Sequence, residues 1–131
     1  MIQKNLLKIL FVEYLPSDVD LAVLELRKEK IEFEYITVCT RIDMVSALKK
    51  FNPDLIIKLI LMDMKMPEID GFEATRQIKL IEPDVTIIAI TAHAMSGDEE
   101  RIIAAGCDGY LSKPINKKSL LEKMAEFVSI R

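Results

Sequence analysis

Short apolar runs alternate along the chain with segments in which apolar residues recur at helical spacing. Residues 8–12, Phe33–Val38, 55–62, 85–90 and 110–111 read as five strands. Runs with so few polar residues are typical of strands that are buried on both faces of a parallel sheet. The pattern therefore predicts a sheet that is covered on both sides.

A helical pattern follows each predicted strand. After the first strand, Ser17 or Asp18 is predicted as the N-cap of a helix. Another helix is predicted to begin near Gly71, and a further one covers residues 98–105, where Gly106 stops it. The other two helices are predicted from apolar stripes, Ile42, Val45, Leu48 and Phe51 in one and Leu120, Leu121, Met124, Phe127 and Val128 in the other.

Strands and helices that alternate with crossovers of this length predict an α/β fold, in which a parallel sheet carries helices on both faces. The sequence shows no linker, internal repeat or low-complexity segment, so residues 1–131 are predicted to form one domain. Half of the residues are hydrophobic, which is enough for one sizeable core.

Charge and cysteine content narrow the possible functions. The chain has 18 Lys and Arg residues against 21 Asp and Glu residues, a net charge of -3, with no long run of one sign. This balance argues against direct binding to nucleic acid or to an anionic membrane. Neither Cys39 nor Cys107 lies in a CxxC pair, so no disulfide framework or zinc site is expected. No apolar stretch approaches the roughly 20 residues that span a bilayer, and a cytoplasmic location is predicted.

The third strand ends in a single carboxylate, Asp63, which a turn through Asp70 and Gly71 follows. In open α/β sheets, ligands bind just outside the carboxyl ends of the strands. An Asp in this place can also simply start a turn. The functional interpretation of Asp63 is favoured because other predicted strands end in polar residues as well.

Glu13 follows the first strand, Thr91 the fourth and Lys113 the fifth, so these residues are predicted to converge with Asp63 at one edge of the sheet. Each of them alone can be read as an ordinary surface residue. Together they suit phosphoryl transfer onto an Asp nucleophile. Carboxylates hold a hard cation such as Mg²⁺, while an ammonium and a hydroxyl hold the transferred phosphoryl oxygens.

Three segments resemble bacterial response-regulator receiver domains. Residues 61–71 (LMDMKMPEIDG) resemble the phospho-acceptor segment, residues 90–94 (ITAHA) the strand end with the switch threonine, and residues 105–115 (AGCDGYLSKPI) the lysine-proline segment. The likeness covers residues 8–127, and the segments come in the family's order. It implies a flavodoxin-like fold with a five-stranded parallel sheet in the order 2-1-3-4-5.

The resemblance also implies roles for the matching residues. Asp63 is expected to accept a phosphoryl group from a sensor histidine kinase or a histidine phosphotransfer protein. Glu13, Asp63 and the backbone carbonyl of Lys65 are expected to hold Mg²⁺. Thr91 and Lys113 are expected to contact the phosphoryl group.

Tyr110 is expected to change rotamer when the phosphoryl group arrives and so alter the surface that an effector domain or target protein binds. In this family the bond between Lys113 and Pro114 is cis. The resemblance implies a signalling domain rather than a metabolic enzyme, although one that assists its own phosphoryl transfer and dephosphorylation.

The chain departs from the family's pattern in two places. The family usually has two adjacent acids after the first strand, whereas here Tyr14 follows Glu13, so weak Mg²⁺ binding is expected. Three interpretations of Tyr14 are open: it lies over the site, it packs against the loop after the third strand, or it marks the plain loss of a ligand.

The second departure is a longer stretch before Asp63, and part of residues 55–58 is expected to lie outside the regular ladder. Lys58 is expected to mark where this stretch is still exposed.

Two other functions remain to be weighed. A pseudo-receiver, a protein-interaction module that does not use phosphate, is suggested by Tyr14. A flavodoxin-like cofactor binder is disfavoured because the loop over residues 13–18 has no glycine and carries acids where a phosphate needs bare backbone N–H groups.

Overall fold

The computed structural model describes residues 7–14, 16–50, 57–67, 69–92 and 98–127. In that part of the chain five strands alternate with five helices, as the sequence predicts. The strands are β1 (Leu7–Val12), β2 (Phe33–Val38), β3 (Ile57–Asp63), β4 (Thr86–Thr91) and β5 (Gly109–Ser112). The helices are α1 (Pro16–Lys28), α2 (Arg41–Lys50), α3 (Gly71–Ile81), α4 (Asp98–Ala105) and α5 (Lys117–Phe127).

The strands form one parallel sheet in the order β2-β1-β3-β4-β5, which confirms the predicted fold. Leu7 of β1 lies opposite Ile57 of β3, and Lys8 lies opposite Lys58. The regular ladder thus already includes residues 57 and 58, while residues 55 and 56 are outside the described part of the chain. Because β1, β3 and β4 are neighbours, the residues that follow them meet at one edge.

Side chains that alternate along each strand divide the core into two layers. On one face of the sheet, α1 and α5 pack through Val19, Leu26, Leu120 and Met124. On the other face, α2, α3 and α4 cover the strands. Their buried residues there are Met44, Ala47, Leu48, Ala74, Ile78 and Ile102. Both faces of the central strands are buried, which explains why their sequences are almost continuously apolar.

Two details of the predicted helices are wrong. Helix α1 begins at Pro16, so Ser17 and Asp18 lie in its first turn rather than at its N-cap. Proline favours the first helical position because its fixed φ suits the helix and its missing N–H would have no helical partner there. In α2 the predicted apolar stripe is shifted, since Ile42 is 82% exposed.

Helix α2 faces the sheet with Met44, Ala47 and Leu48, so Leu48 is the member of the predicted stripe that is confirmed as a core residue. An apolar residue at helical spacing is therefore not always a core residue, and the sheet selects the face. Of the stripe predicted for α5, Leu120 and Met124 are buried and Phe127 is exposed. The predicted core positions Phe51 and Val128 lie outside the described residues.

The turn after β3 is closed by short backbone contacts. Lys65 and Asp70 form an antiparallel bridge, and the Asp70 side chain accepts a hydrogen bond of 3.0 Å from the N–H of Phe72 at the start of α3. A Cβ atom on Gly71 would lie only 2.6 Å from the Cα atom of Met64. This close approach brings the start of α3 against the residue that follows Asp63.

No helix within the described ranges is long and apolar enough to cross a membrane.

Replacing Gly71 by Ala is expected to lower the free energy of unfolding by about 1–3 kcal/mol, because the new methyl group meets backbone that cannot move aside easily. Denaturant unfolding measures the change. Gly109→Ala is the matched control, since the Cβ atom there would first meet the flexible end of Lys123 at 3.0 Å. A cost below about 1 kcal/mol is expected for the control, and equal costs for the two variants would contradict the role given to Gly71.

Candidate functional site

Two carboxylates are buried at the carboxyl edge of the sheet. Asp63 is the last residue of β3 and is 6% exposed, and Glu13 directly follows β1 and is 4% exposed. The backbone N–H of Glu13 donates to the carbonyl of Val38 at 3.0 Å, so its position continues the ladder to β2. Burying two acids is costly unless a cation or hydrogen-bond donors compensate their charges.

Lys113 provides that cation. Its Nζ atom lies 3.2 Å from Oδ2 of Asp63 and 3.3 Å from Oε2 of Glu13. It also lies 3.1 Å from Oδ2 of Asp18. The peptide bond between Lys113 and Pro114 is cis, as the family resemblance implies. One ammonium thus contacts carboxylates from three separate segments of the chain.

The environment of Lys113 raises its pKa. Burial lowers the pKa of the ammonium, but the hydrogen bond to Asp18 and the charges of Glu13 and Asp63 outweigh that effect. Because the folded pKa is raised, the ion pairs contribute fully to stability below the unfolded pKa of about 10.4. Their contribution is lost only as the pH rises through the higher folded pKa.

Backbone hydrogen bonds tie the strand ends together. The N–H of Lys113 donates to the carbonyl of Thr91 at 2.7 Å, and the N–H of Met64 donates to the carbonyl of Ile90 at 3.1 Å. Thr91 is buried at the end of β4. The predicted site residues Glu13, Asp63, Thr91 and Lys113 therefore all lie at the carboxyl edge of the sheet, and direct contacts join three of them through the Lys113 ammonium.

Lys65 contacts Asp63 through its backbone. Its N–H donates to Oδ1 of Asp63 at 3.0 Å, and its side chain is exposed. This bond leaves Oδ2 as the oxygen that faces Lys113. The carboxylate is therefore held in one orientation by a donor on each oxygen.

Tyr14 follows Glu13, at the position where the family resemblance leads us to expect a second acid. Its backbone N–H donates to Oε1 of Glu13 at 3.1 Å, and the residue is 56% exposed. More than half of Tyr14 is thus in solvent, so it does not form a closed cover over the site.

Tyr110 is half-buried in β5 and packs against the core on the side of α2, α3 and α4. It lies opposite Ala89 of β4. Thr91 is two residues after Ala89, and alternation along the strand places both on the same face of the sheet. The side chains of Tyr110 and Thr91 are therefore on the same face of the sheet.

The donors at this edge suit a hard cation bound by few ligands. Within the described ranges, no three Asp, Glu, His or Cys side chains are arranged to hold a metal ion by themselves. Mg²⁺, however, usually keeps several waters and takes only one or two carboxylates from the protein. The two buried carboxylates of Glu13 and Asp63, with the carbonyl of Lys65 nearby in sequence, fit that requirement.

Asp18 is the contact that the sequence did not reveal. The sequence predicts it only as a possible helix cap, yet its carboxylate forms an ion pair with Lys113. The available signal was topological, because a helix that directly follows β1 starts at the carboxyl edge and carries its first turn there.

Residues 17–125 match the family described as the response regulator receiver domain. The chain is 39% identical over 98 residues to the polar-differentiation response regulator DivK of Brucella abortus, an alignment that covers 72% of this chain and 76% of DivK.

Solved structures are similar over nearly the whole chain. The receiver domain of the sensor histidine kinase PA1611 of Pseudomonas aeruginosa, with a magnesium ion coordinated in its active-site cleft, is 33% identical. Its TM-score is 0.75, and the match covers 92% of this chain and 95% of that one. The receiver domain of Ssk1 of Saccharomyces cerevisiae, solved with the histidine phosphotransfer protein Ypd1, is 27% identical with a TM-score of 0.78, covering 94% of this chain and 89% of that one.

Lys113→Ala is expected to leave a folded protein whose free energy of unfolding is lower by about 1–3 kcal/mol at neutral pH, because buried carboxylates lose their cation. The difference from the wild type should persist to about pH 10 and shrink above it, where the lysine itself loses its charge. Chemical denaturation across this pH range measures both effects.

The control is Lys117→Ala, which removes an exposed ion pair with Glu29 and should leave the free energy of unfolding nearly unchanged, because solvent screens such pairs. An equally small cost for both variants would show that Lys113 does not stabilise the carboxylate cluster.

Proposed function

The chain belongs to the response regulator receiver domain family of two-component signalling, and we propose that it is a phosphorylation-dependent switch whose acceptor is Asp63. The observation that carries this proposal is the position of Asp63. It is a buried carboxylate at the end of a central strand, with the Lys113 ammonium at 3.2 Å from one oxygen and a backbone N–H at 3.0 Å from the other. A carboxylate held in one orientation beside a cation suits attack on phosphorus.

In the proposed reaction a carboxylate oxygen of Asp63 attacks the phosphorus of a phosphohistidine. A phosphorus–oxygen bond forms, the phosphorus–nitrogen bond breaks, and the imidazole leaves with the bonding electron pair. Lys113 neutralises charge on the phosphoryl oxygens, and the Thr91 hydroxyl, at the adjacent strand end, donates to one of them. Mg²⁺, when it is bound by Glu13, Asp63 and the carbonyl of Lys65, supplies further charge neutralisation.

The comparisons support the proposed cofactor and partners. A magnesium ion lies in the active-site cleft of the PA1611 receiver domain, and the Ssk1 receiver domain was solved with a histidine phosphotransfer protein. We infer that this chain also uses Mg²⁺ and receives its phosphoryl group from a sensor histidine kinase or a histidine phosphotransfer protein in the cytoplasm. It acts on an effector domain or target protein and assists its own phosphoryl transfer and dephosphorylation.

We propose that the conformational change begins at Thr91 and reaches Tyr110. Phosphorylation replaces the singly charged carboxylate of Asp63 by an acyl phosphate that carries close to two negative charges. Its phosphoryl oxygens accept hydrogen bonds and draw the Thr91 hydroxyl toward the site. Because Tyr110 is half-buried on the same face of the sheet, movement of Thr91 changes the space available to its ring. The surface of α4, β5 and α5 changes with it.

A second candidate function rests on Tyr14. With a phenol where the family usually has an acid, the chain is alternatively a pseudo-receiver that binds partners without using phosphate. The Lys113 contact to Asp63 favours the phosphorylated switch, since an interaction module has no need to hold a buried acceptor carboxylate beside an ammonium.

Asp63→Asn is expected to abolish phosphorylation, because an amide is a poor nucleophile and cannot form the acyl phosphate. The measurement is the gain of one phosphoryl mass after incubation with a small phosphodonor and Mg²⁺. Asp84→Asn, an exposed acid near the amino end of β4, is the matched control and should be phosphorylated like the wild type.

A phosphoryl mass that persists in Asp63→Asn would refute the assignment of the acceptor. A wild type that gains none under any Mg²⁺ concentration would instead favour the pseudo-receiver.

Tyr14→Asp is expected to tighten Mg²⁺ binding. One added charge near the metal is worth on the order of 1–4 kcal/mol at 4 Å, for effective dielectrics between those of water and a protein surface. This corresponds to roughly a five- to several-hundred-fold higher affinity. A Mg²⁺ titration by calorimetry measures it, with Tyr14→Asn as the control that removes the ring without adding charge. Equal affinities of the wild type and Tyr14→Asp would contradict the prediction.

A further inference from the structure

Asp18 makes the shortest of the three carboxylate contacts to Lys113, at 3.1 Å. A lysine ammonium has three N–H donors and no acceptor. Glu13, Asp63 and Asp18 each place a carboxylate oxygen 3.1–3.3 Å from Nζ, so the ammonium has as many carboxylate neighbours as it has N–H donors. The ammonium is thus shared among three acids, of which Asp18 is the most exposed.

Helix α1 brings Asp18 to this place. The helix begins at Pro16, directly after the loop that follows β1, so its first turn lies beside the end of that strand. An acid in a first turn is favourable near the positive end of the helix dipole, which by itself explains an Asp here. It does not explain why the carboxylate lies on Lys113, a residue 95 positions later in the chain.

The contact between Asp18 and Lys113 changes the net charge of the site. The family's usual pair of adjacent acids is reduced here to Glu13, because Tyr14 takes the other place. With Glu13, Asp63 and Lys113 alone, the formal charge of the cluster is -1. Asp18 brings it to -2, the charge that matches a divalent cation.

We propose that Asp18 is a positioning residue for cation binding, which holds the Lys113 ammonium and so leaves the oxygens of Glu13 and Asp63 more available to Mg²⁺. This role rests on the function proposed above, because it concerns the same site. It goes further in giving a residue outside the family's motifs the task of offsetting the acid that Tyr14 replaces.

Removing the charge of Asp18 affects the site in two ways that have the same sign. The divalent cation loses the attraction of a nearby negative charge. The Lys113 ammonium, without its third acceptor, pairs more fully with Glu13 and Asp63 and competes with the cation for their oxygens. Both effects weaken Mg²⁺ binding.

The experiment measures Mg²⁺ affinity by calorimetry without any phosphodonor. Asp18→Asn is expected to bind Mg²⁺ about three- to tenfold more weakly than the wild type, the size expected for one charge removed a few ångströms from a divalent cation in a salt-screened, partly solvated site. Asp18→Glu, which keeps the charge, should recover most of the affinity.

Asp20→Asn is the matched control, because Asp20 is an exposed acid on the same helix two residues further on. It removes the same charge from the same protein and should leave Mg²⁺ affinity unchanged within about twofold, since a solvated charge further away is screened. A helix-dipole effect alone changes the stability of both variants and leaves the two Mg²⁺ affinities equal.

The side-chain ammonium NMR signal of Lys113 in nitrogen-labelled protein is the second measurement. It is expected to move in Asp18→Asn and to stay in place in Asp20→Asn. An unchanged Lys113 signal, or equal Mg²⁺ affinities of wild type and Asp18→Asn, would overturn the proposal.

Neither measurement requires phosphorylation, so the two proposals fail separately. If the wild type gains no phosphoryl mass while Asp18→Asn still weakens Mg²⁺ binding, the switch function is wrong and the role of Asp18 stands. If the wild type is phosphorylated and Asp18→Asn binds Mg²⁺ normally, only the role of Asp18 is wrong.

Discussion

The site depends on one ammonium that is surrounded by three carboxylates. Lys113 lies 3.1–3.3 Å from oxygens of Asp18, Asp63 and Glu13, and two of these acids are buried almost completely. Clustered buried acids are unfavourable without a cation, because desolvation and mutual repulsion both oppose their charged forms. Lys113 therefore allows the chain to keep anionic oxygens buried at the strand ends.

The sheet supplies the rigidity that this arrangement requires. Glu13, Asp63 and Lys113 lie at the ends of β1, β3 and β5 in one parallel sheet, in which β1 pairs with β3 and β4 joins β3 to β5. The N–H of Lys113 itself donates to the carbonyl of Thr91 at the end of β4. Side chains at the ends of strands in one rigid sheet keep fixed separations, which is the condition for chemistry that depends on positioning. The turn after Asp63 adds a further constraint, since the Lys65–Asp70 bridge fixes where α3 starts.

Local sequence patterns predicted most of the fold. Parallel strands buried on both faces have continuous apolar sequences, so β1, β3 and β4 were visible without any tertiary information. Patterns failed where local chemistry had to compete with packing. Leu48 of the predicted stripe is a core residue, but Ile42 has the same helical spacing and is exposed, while Met44 is buried without having been predicted. Ser17 and Asp18 have the chemistry of a helix cap, but Pro16 already begins the helix.

The sequence by itself determined the order of the elements and the residues that end the strands, because both follow from local periodicity. From these, and from the resemblance that the motifs carry, Glu13, Asp63, Thr91 and Lys113 could be assigned to one edge. Only the tertiary structure decided that Asp18 shares the Lys113 ammonium and that Tyr14 lies largely in solvent. Such contacts join residues far apart in the chain, and their geometry depends on how α1 packs on the sheet, which no local pattern encodes.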